Sequence, residues 1–316
     1  MHRVLSRSSY MLRTVSALAL LLLALLAGGT PLQAKPKEDP NTIVSNTGAV
    51  PPASADKDKG KQESVSLPFE GTGALVNGGA GTVNEEPVAA VAAPGQEAGI
   101  ESVIGADGRY RITTTTSFPY RAIVHITSSI GGCSGWLISA NTVATAGHCV
   151  YGSGGWATNV VVYPGRNGTS TPYGSCTARQ LYAVSGWTSS QNRNYDYAAI
   201  KLNCSIGNTT GFFGYRVSTT SLNGQPSYTA GYPGDKTYAT MWRSDDTIRI
   251  TQTYRLYYAN DTYGGQSGSI VWNSEAGCST CGIAIHAYGV DSTGYNGGTR
   301  ITQEVYNNLT TWKNAP

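Results

Sequence analysis

From residue 102 onward, apolar and polar positions alternate in short runs rich in β-branched and aromatic residues, broken every several positions by Gly, Asn, Ser or Pro. That rhythm predicts an all-β sandwich or barrel. Strands are expected at residues 120–127, 135–139, 142–146, 160–163, 197–202, 228–231, 248–253 and 283–287. One short helix is expected at the C-terminus. Thr302 is placed to cap it, Glu304 sits in its first turn, and Val305, Leu309 and Trp312 share one face that should clamp onto the β core. No repeat with a period of tens of residues is present.

The first hundred residues read differently. Arg3, Arg7 and Arg13 precede an apolar run at residues 15–27, and Ala34 closes a small-residue cleavage signature. The run is too short to cross a hydrocarbon core of about 30 Å, so residues 1–34 are expected to be a secretory signal and not an anchor. Residues 35–101 are rich in Gly, Ala, Pro and acidic residues, with Phe69 as the only aromatic. They show no sustained period and are expected to be a flexible propeptide unless they dock on the rest.

Charge sharpens that division. Residues 35–101 carry five Lys against ten acidic residues, whereas residues 102–316 carry 14 Lys plus Arg against nine acidic residues. Opposite signs favour docking of the first segment on the second. No Lys/Arg block interleaved with aromatics is present, so neither nucleic acid nor a membrane is expected as partner. Nothing suggests an oligomer, and a monomer is expected.

All six cysteines lie beyond residue 102: Cys133, Cys149, Cys176, Cys204, Cys278 and Cys281. An even count behind a signal sequence points to disulfides and a secreted, extracellular protein. Counting alone allows fifteen pairings. A zinc site at Cys278 and Cys281 lacks a second ligand pair, so no metal site is expected. No cofactor is expected. Structural calcium stays open, because Asp residues lie near Gly-rich turns although no EF-hand-type loop occurs.

Three segments surround a reactive side chain with small residues: Thr145-Ala146-Gly147-His148-Cys149, Asn194-Tyr195-Asp196-Tyr197-Ala198, and Gly264-Gly265-Gln266-Ser267-Gly268-Ser269. A serine hydroxyl needs an adjacent base at neutral pH, and an imidazole has the proton affinity for that task. A buried carboxylate must hold the imidazole in one tautomer, and an oxyanion needs backbone donors beside the nucleophile. His148, Asp196 and Ser267 supply the three side chains, and Gly265 leaves a backbone donor unobstructed. His125, alternating with apolar neighbours, reads as structural. Asp235, Asp245, Asp246 and Asp291 read as surface residues.

On these motifs in His, Asp, Ser order, with Asp261-Thr262-Tyr263 before the serine, residues 102–316 resemble the chymotrypsin-like serine proteases. The resemblance is closest to the bacterial glutamyl endopeptidases of the Bacillus and V8 type. Residues 119–126 and 231–236 look like the Bacillus branch. The resemblance implies two six-stranded antiparallel β-barrels and a secreted serine endopeptidase made as a zymogen. In that scheme Ser267 attacks the scissile carbonyl, His148 moves the proton, Asp196 orients His148, and the N–H groups of Gly265 and Ser267 form the oxyanion hole. It further implies a Cys133–Cys149 disulfide beside the histidine, closing a loop worth about 3 kcal/mol in the chain-entropy view. Cys278 and Cys281 are placed to close a small loop, which leaves Cys176 with Cys204.

Two specificities compete. Asp261 stands six residues before the serine, where trypsin-like enzymes carry the aspartate that selects Lys or Arg. Against it, the family resemblance implies that His286 and Thr262 receive a substrate glutamate, with Asp unresolved, and that a new amino terminus at Ser102 adds positive charge. Glu101-Ser102 is itself a Glu-X bond. Gln266 occupies the position where trypsin-like zymogens carry the aspartate that pairs with the new terminus, so activation is expected to differ. A rival of another class is an inactive secreted binding protein on a protease scaffold; retention of all three catalytic types argues against it. Protein and peptide substrates and the chain's own propeptide are the expected partners.

Overall fold

The computed structural model describes residues 38–52, 64–79, 81–91, 93, 102–275 and 277–316. Residues 1–34, expected to be a secretory signal, and Glu101 of the Glu101-Ser102 bond lie outside these residues.

Twelve strands build two closed barrels. In the first, β1 (Ile123–Ser128), β2 (Gly131–Ser139), β3 (Thr142–Thr145), β4 (Val161–Pro164), β5 (Cys176–Val184) and β6 (Ala198–Leu202) run in the order β5-β6-β3-β2-β1-β4, and β4 pairs back onto β5. In the second, β7 (Pro226–Gly231), β8 (Trp242–Thr251), β9 (Arg255–Tyr258), β10 (Ile270–Glu275), β11 (Cys278–Tyr288) and β12 (Asn296–Arg300) run β10-β7-β8-β9-β12-β11, and β11 pairs back onto β10. All twelve barrel pairings are antiparallel, as expected. Closure leaves each barrel without an exposed edge along its circuit.

The apolar alternation located eight of these strands. The other four are β5, β9, β10 and β12, and each hides its period. β5 carries a register shift between Ala178 and Gln180. β9 has only four residues, all buried. β10 begins with four consecutive buried residues. β12, Asn-Gly-Gly-Thr-Arg, has almost no side chain to alternate.

The C-terminal helix α1 (Gln303–Asn314) forms as expected, with Thr302 Oγ1 accepting from Val305 N at 3.4 Å. Val305, Leu309 and Trp312 are buried, and the Trp312 ring stacks on Tyr182 of β5 with centroids 6.1 Å apart. The three disulfides are Cys133–Cys149, Cys176–Cys204 and Cys278–Cys281.

The composition of residues 35–101 leaves them flexible unless they dock, and their described parts do dock. Ile43–Ser45 pairs antiparallel with β5, and Val65–Ser66 pairs with Gly214–Arg216, which in turn runs beside β11. Phe69 sits 5.3 Å from Phe212 between ring centroids. Backbone pairing substitutes for the apolar surface that this segment lacks, since unpaired strand N–H and C=O groups recruit any chain that can satisfy them.

Candidate active site

The register of the first barrel brings the histidine and the aspartate together. Ala198 of β6 pairs with Thr145 of β3 in antiparallel sense, so residues just before β6 face residues just after β3. Asp196 and His148 occupy those two places. The Asp196 carboxylate is fully buried; Oδ1 accepts from His148 N at 2.9 Å and Oδ2 lies 2.8 Å from His148 Nδ1. Burial alone would raise the Asp196 pKa, but His148 holds it below the usual carboxylate range. A negative carboxylate here fixes the proton on His148 Nδ1 and presents Nε2 as base. Nε2 is buried and has no hydrogen-bond partner among the described residues.

Ser267 comes from the second barrel, in the turn before β10. Ser134 N of β2 donates to the Ser267 carbonyl at 2.8 Å, and Cys149 Sγ approaches the same oxygen at 3.5 Å, so the serine is pinned against the His148 turn. Gly268, next in sequence, is obligatory: its φ is +85°, and a Cβ there would lie 2.1 Å from Thr145 Oγ1. Gln266 braces the turn, its Oε1 accepting from Tyr263 N at 3.0 Å. The N–H groups of Gly265 and Ser267 make no hydrogen bond among the described residues, and Gly265 adopts a φ of +99°. Two unpaired donors beside a serine hydroxyl are what a tetrahedral oxyanion requires.

Of the residues expected to line the pocket, His286 pairs with backbone just after this serine, and Thr262 pairs with Ser102. Gly268 N donates to His286 O at 2.7 Å, and His286 N to Ser269 O at 2.8 Å. His286 is buried, and its Nδ1 lies 2.7 Å from the Tyr258 hydroxyl. Burial, with help from the nearby His148 and Arg255, pushes the His286 pKa down to about 3, so the ring is neutral at pH 7. Thr262 is fully buried, its Oγ1 has no partner among the described residues, and its N–H donates to Ser102 O at 3.3 Å. Ser102 is buried beside it, and its carbonyl also accepts from Asn296 Nδ2 at 2.7 Å.

Asp261, which argued for a Lys/Arg pocket, is committed elsewhere. Its Oδ1 accepts from Ile104 N and its Oδ2 from Gly108 N, each at 2.7 Å, so the carboxylate fastens the loop that follows Ser102. Three groups near the pocket escape sequence reading. Tyr258 braces His286, and the guanidinium groups of Arg193 and Arg255 lie 4.0 and 4.8 Å from the Tyr288 ring, at the end of the His286 strand. Their chain separation from His286 left no local signal. His125 is structural, as expected, buried in β1 beside Arg166.

The profile of the family described as Trypsin matches residues 111–314. A glutamyl endopeptidase of Bacillus licheniformis is 56% identical over 68% of this chain and 70% of its own. An extracellular metalloprotease of Bacillus subtilis is 45% identical over 95% of both chains. A solved Glu endopeptidase in complex with MPD superimposes with a TM-score of 0.63 at 33% identity, covering 67% of this chain and 99% of its own. The chain belongs to the trypsin family and is a chymotrypsin-like serine endopeptidase of the V8-like branch.

The name of the Bacillus subtilis relative raises a metal. Among the described residues, the one His/Cys/Asp/Glu group close enough to share an ion is Cys133, His148 and Cys149. The two sulfurs are bonded to each other, and a disulfide is not a thiolate ligand.

Proposed function

We propose that the protein is a secreted, Glu-specific endopeptidase acting through an acyl-enzyme on Ser267. His148 Nε2 takes the Ser267 proton as Oγ attacks the scissile carbonyl, and then returns it to the leaving amine. Asp196 holds the imidazole and stabilises its cationic form, while the N–H groups of Gly265 and Ser267 receive the oxyanion. Water repeats the sequence to release the acid product.

The observation that carries the Glu reading is the backbone pairing of Ser102 with Thr262. His286 is neutral and so offers a hydrogen-bond donor without charge; a substrate carboxylate leaving water still needs positive charge nearby. Cutting after Glu101 would leave a Ser102 amino group, mostly protonated with a pKa near 7.7 to 8.0, next to Thr262. Arg193 and Arg255 add cationic field from the far end of β11. The same cut would complete the pocket, consistent with Gln266 standing where an activating aspartate would otherwise be. Residues 35–101 then act as a propeptide, and residues 1–34 as the signal that exports the chain. The extracellular Bacillus subtilis relative supports that location.

The decisive experiment is digestion of a mixed peptide library before and after cleavage at Glu101. Cleavage confined to Glu (with or without Asp), and arising only after the cut, is expected. Cuts after Lys or Arg with none after Glu overturn the specificity, and equal activity before the cut overturns the activation scheme.

A further inference from the structure

Residues 81–91 lie along one flank of the catalytic serine and are held at successive points. Thr171 N donates to Gly81 O at 2.8 Å and Val83 N to Thr169 O at 2.9 Å. Further on, Gly132 N donates to Ala89 O at 2.7 Å and Val91 N to Gly132 O at 3.0 Å. Gly132 is two residues before Ser134, whose N–H holds the Ser267 carbonyl, and a Cβ at Gly265 would lie 3.5 Å from the Ala90 Cβ. The segment therefore covers backbone beside the oxyanion donors, and no hydrogen bond among the described residues joins it to Thr262 or His286. Once the acyl half of a substrate occupies that pocket, the leaving half crosses this flank.

Between the two anchored ends, Glu85 enters a built site. Its carboxylate pairs with Arg166 Nη1, and it accepts from Tyr163 Oη at 2.9 Å and from Tyr238 Oη at 3.1 Å. The Arg166 side chain is only 1% exposed, and its charge has no other acidic partner among the described residues. Its remaining contacts are the Gly168 carbonyl at 2.8 Å from Nε, His125 Nδ1 at 3.2 Å, and the faces of Tyr163 and Tyr238 at 4.7 and 5.3 Å. Burial holds His125 neutral, so it supplies no counter-charge. A guanidinium this deeply buried requires an anion. Tyr163 pairs with His125, and His125 with Ser134, so one strand, β1, lies between the Tyr163 side of the site and the backbone that holds Ser267.

We propose that Arg166, Tyr163 and Tyr238 form a carboxylate-binding subsite on the leaving-group side of Ser267, filled by Glu85 in the uncut chain and by an acidic substrate side chain downstream of the scissile bond in the processed enzyme. The proposal rests on the reading of Ser267 as nucleophile and of residues before Ser102 as removable. The barrels themselves use only residues between Ile123 and Arg300, and two thirds of this chain matches 99% of a solved Glu endopeptidase, so the processed part has a complete fold of its own.

The test uses the chain cut after Glu101 and freed of its N-terminal piece. In a Ser267→Ala background, a fluorescent peptide of residues 81–93 is titrated by anisotropy, so binding is read without turnover and survives any error about Glu specificity. The peptide is expected to bind, and its Glu85→Gln form to bind at least tenfold more weakly; equal binding, or none, overturns the proposal. Arg166→Met should erase the difference between the two peptides. If that variant does not fold, Tyr238→Phe should shrink the difference to about threefold, and an unchanged difference counts against the site. The substrate source is read with active enzyme on peptides of common scissile bond bearing Glu or Gln two to four residues downstream. A several-fold preference in kcat/KM for Glu at one of these positions is expected, and the absence of any preference overturns the subsite as a substrate-reading element.

Discussion

The Tyr258 hydroxyl lies 2.7 Å from His286 Nδ1, and it makes no other hydrogen bond among the described residues. Burial pushes the Tyr258 pKa far up, so the phenol keeps its proton. Donating that proton to Nδ1 leaves His286 as the Nε2–H tautomer, with its one donor directed away from the tyrosine. Tyr258→Phe should release this constraint. Losing one hydrogen bond of about 1.4 kcal/mol predicts a roughly tenfold fall in kcat/KM for Glu substrates. Hydrolysis of a small neutral ester should change little, and equal losses on both substrates would remove Tyr258 from substrate selection.

Asp261 gives a second prediction. Its two oxygens hold Ile104 and Gly108, so Asp261→Ala should loosen the loop after Ser102 without altering a basic-residue pocket. Hydrogen bonds to a charged acceptor contribute about 1.5 to 3 kcal/mol each, so a loss of at least about 2 kcal/mol in unfolding free energy is expected. Cleavage after Glu should weaken, while cleavage after Lys or Arg stays absent in both proteins. Urea unfolding and a library digest measure the two effects.

The His148 and Asp196 geometry predicts a large catalytic effect with a small structural one. Asp196→Asn can keep a hydrogen bond to the ring yet favours the wrong tautomer, so kcat should fall by about 10⁴-fold as in related triads. Organophosphate labelling of Ser267 should slow in parallel. A loss below tenfold would mean that Asp196 does not orient the base.

Acid should destabilise the fold through two histidines. Burial pushes both His125 and His286 to a pKa of about 3, against an ordinary 6.5. Between those values the unfolded chain binds protons that the folded chain refuses, so stability is present above about pH 6.5 and is lost as pH falls toward 3. The limiting slope is about 1.4 kcal/mol per pH unit for each histidine. Denaturant titrations at pH 7, 6, 5 and 4 should show the fall, and His125→Gln should reduce the slope by about half. An unchanged slope in that variant would exclude His125 as a contributor.

Much of this molecule is legible along the chain. The histidine and serine segments identify themselves because Gly147, Gly265 and Gly268 sit where another side chain would collide or where φ is positive. The C-terminal helix is equally clear, since a cap and a 3.6-residue apolar stripe are local features. β12 and β5 are less so, because a glycine-rich strand and a bulged one lose the alternation that marks burial.

The sequence by itself determined the catalytic residue types, the β rhythm and the division between an acidic leading segment and a basic barrel region. Only the tertiary structure decided where each charge goes. Asp261 and Thr262 are neighbours in sequence, yet the Asp261 side chain accepts from Ile104 N and Gly108 N, while Thr262 pairs through its backbone with Ser102 and buries its side chain. Arg166 and Glu85 are far apart in the chain and meet only because backbone pairing lays residues 81–91 across the first barrel. Direction and long-range pairing are properties of register, and register is set by closure of the barrels rather than by any local run of residues.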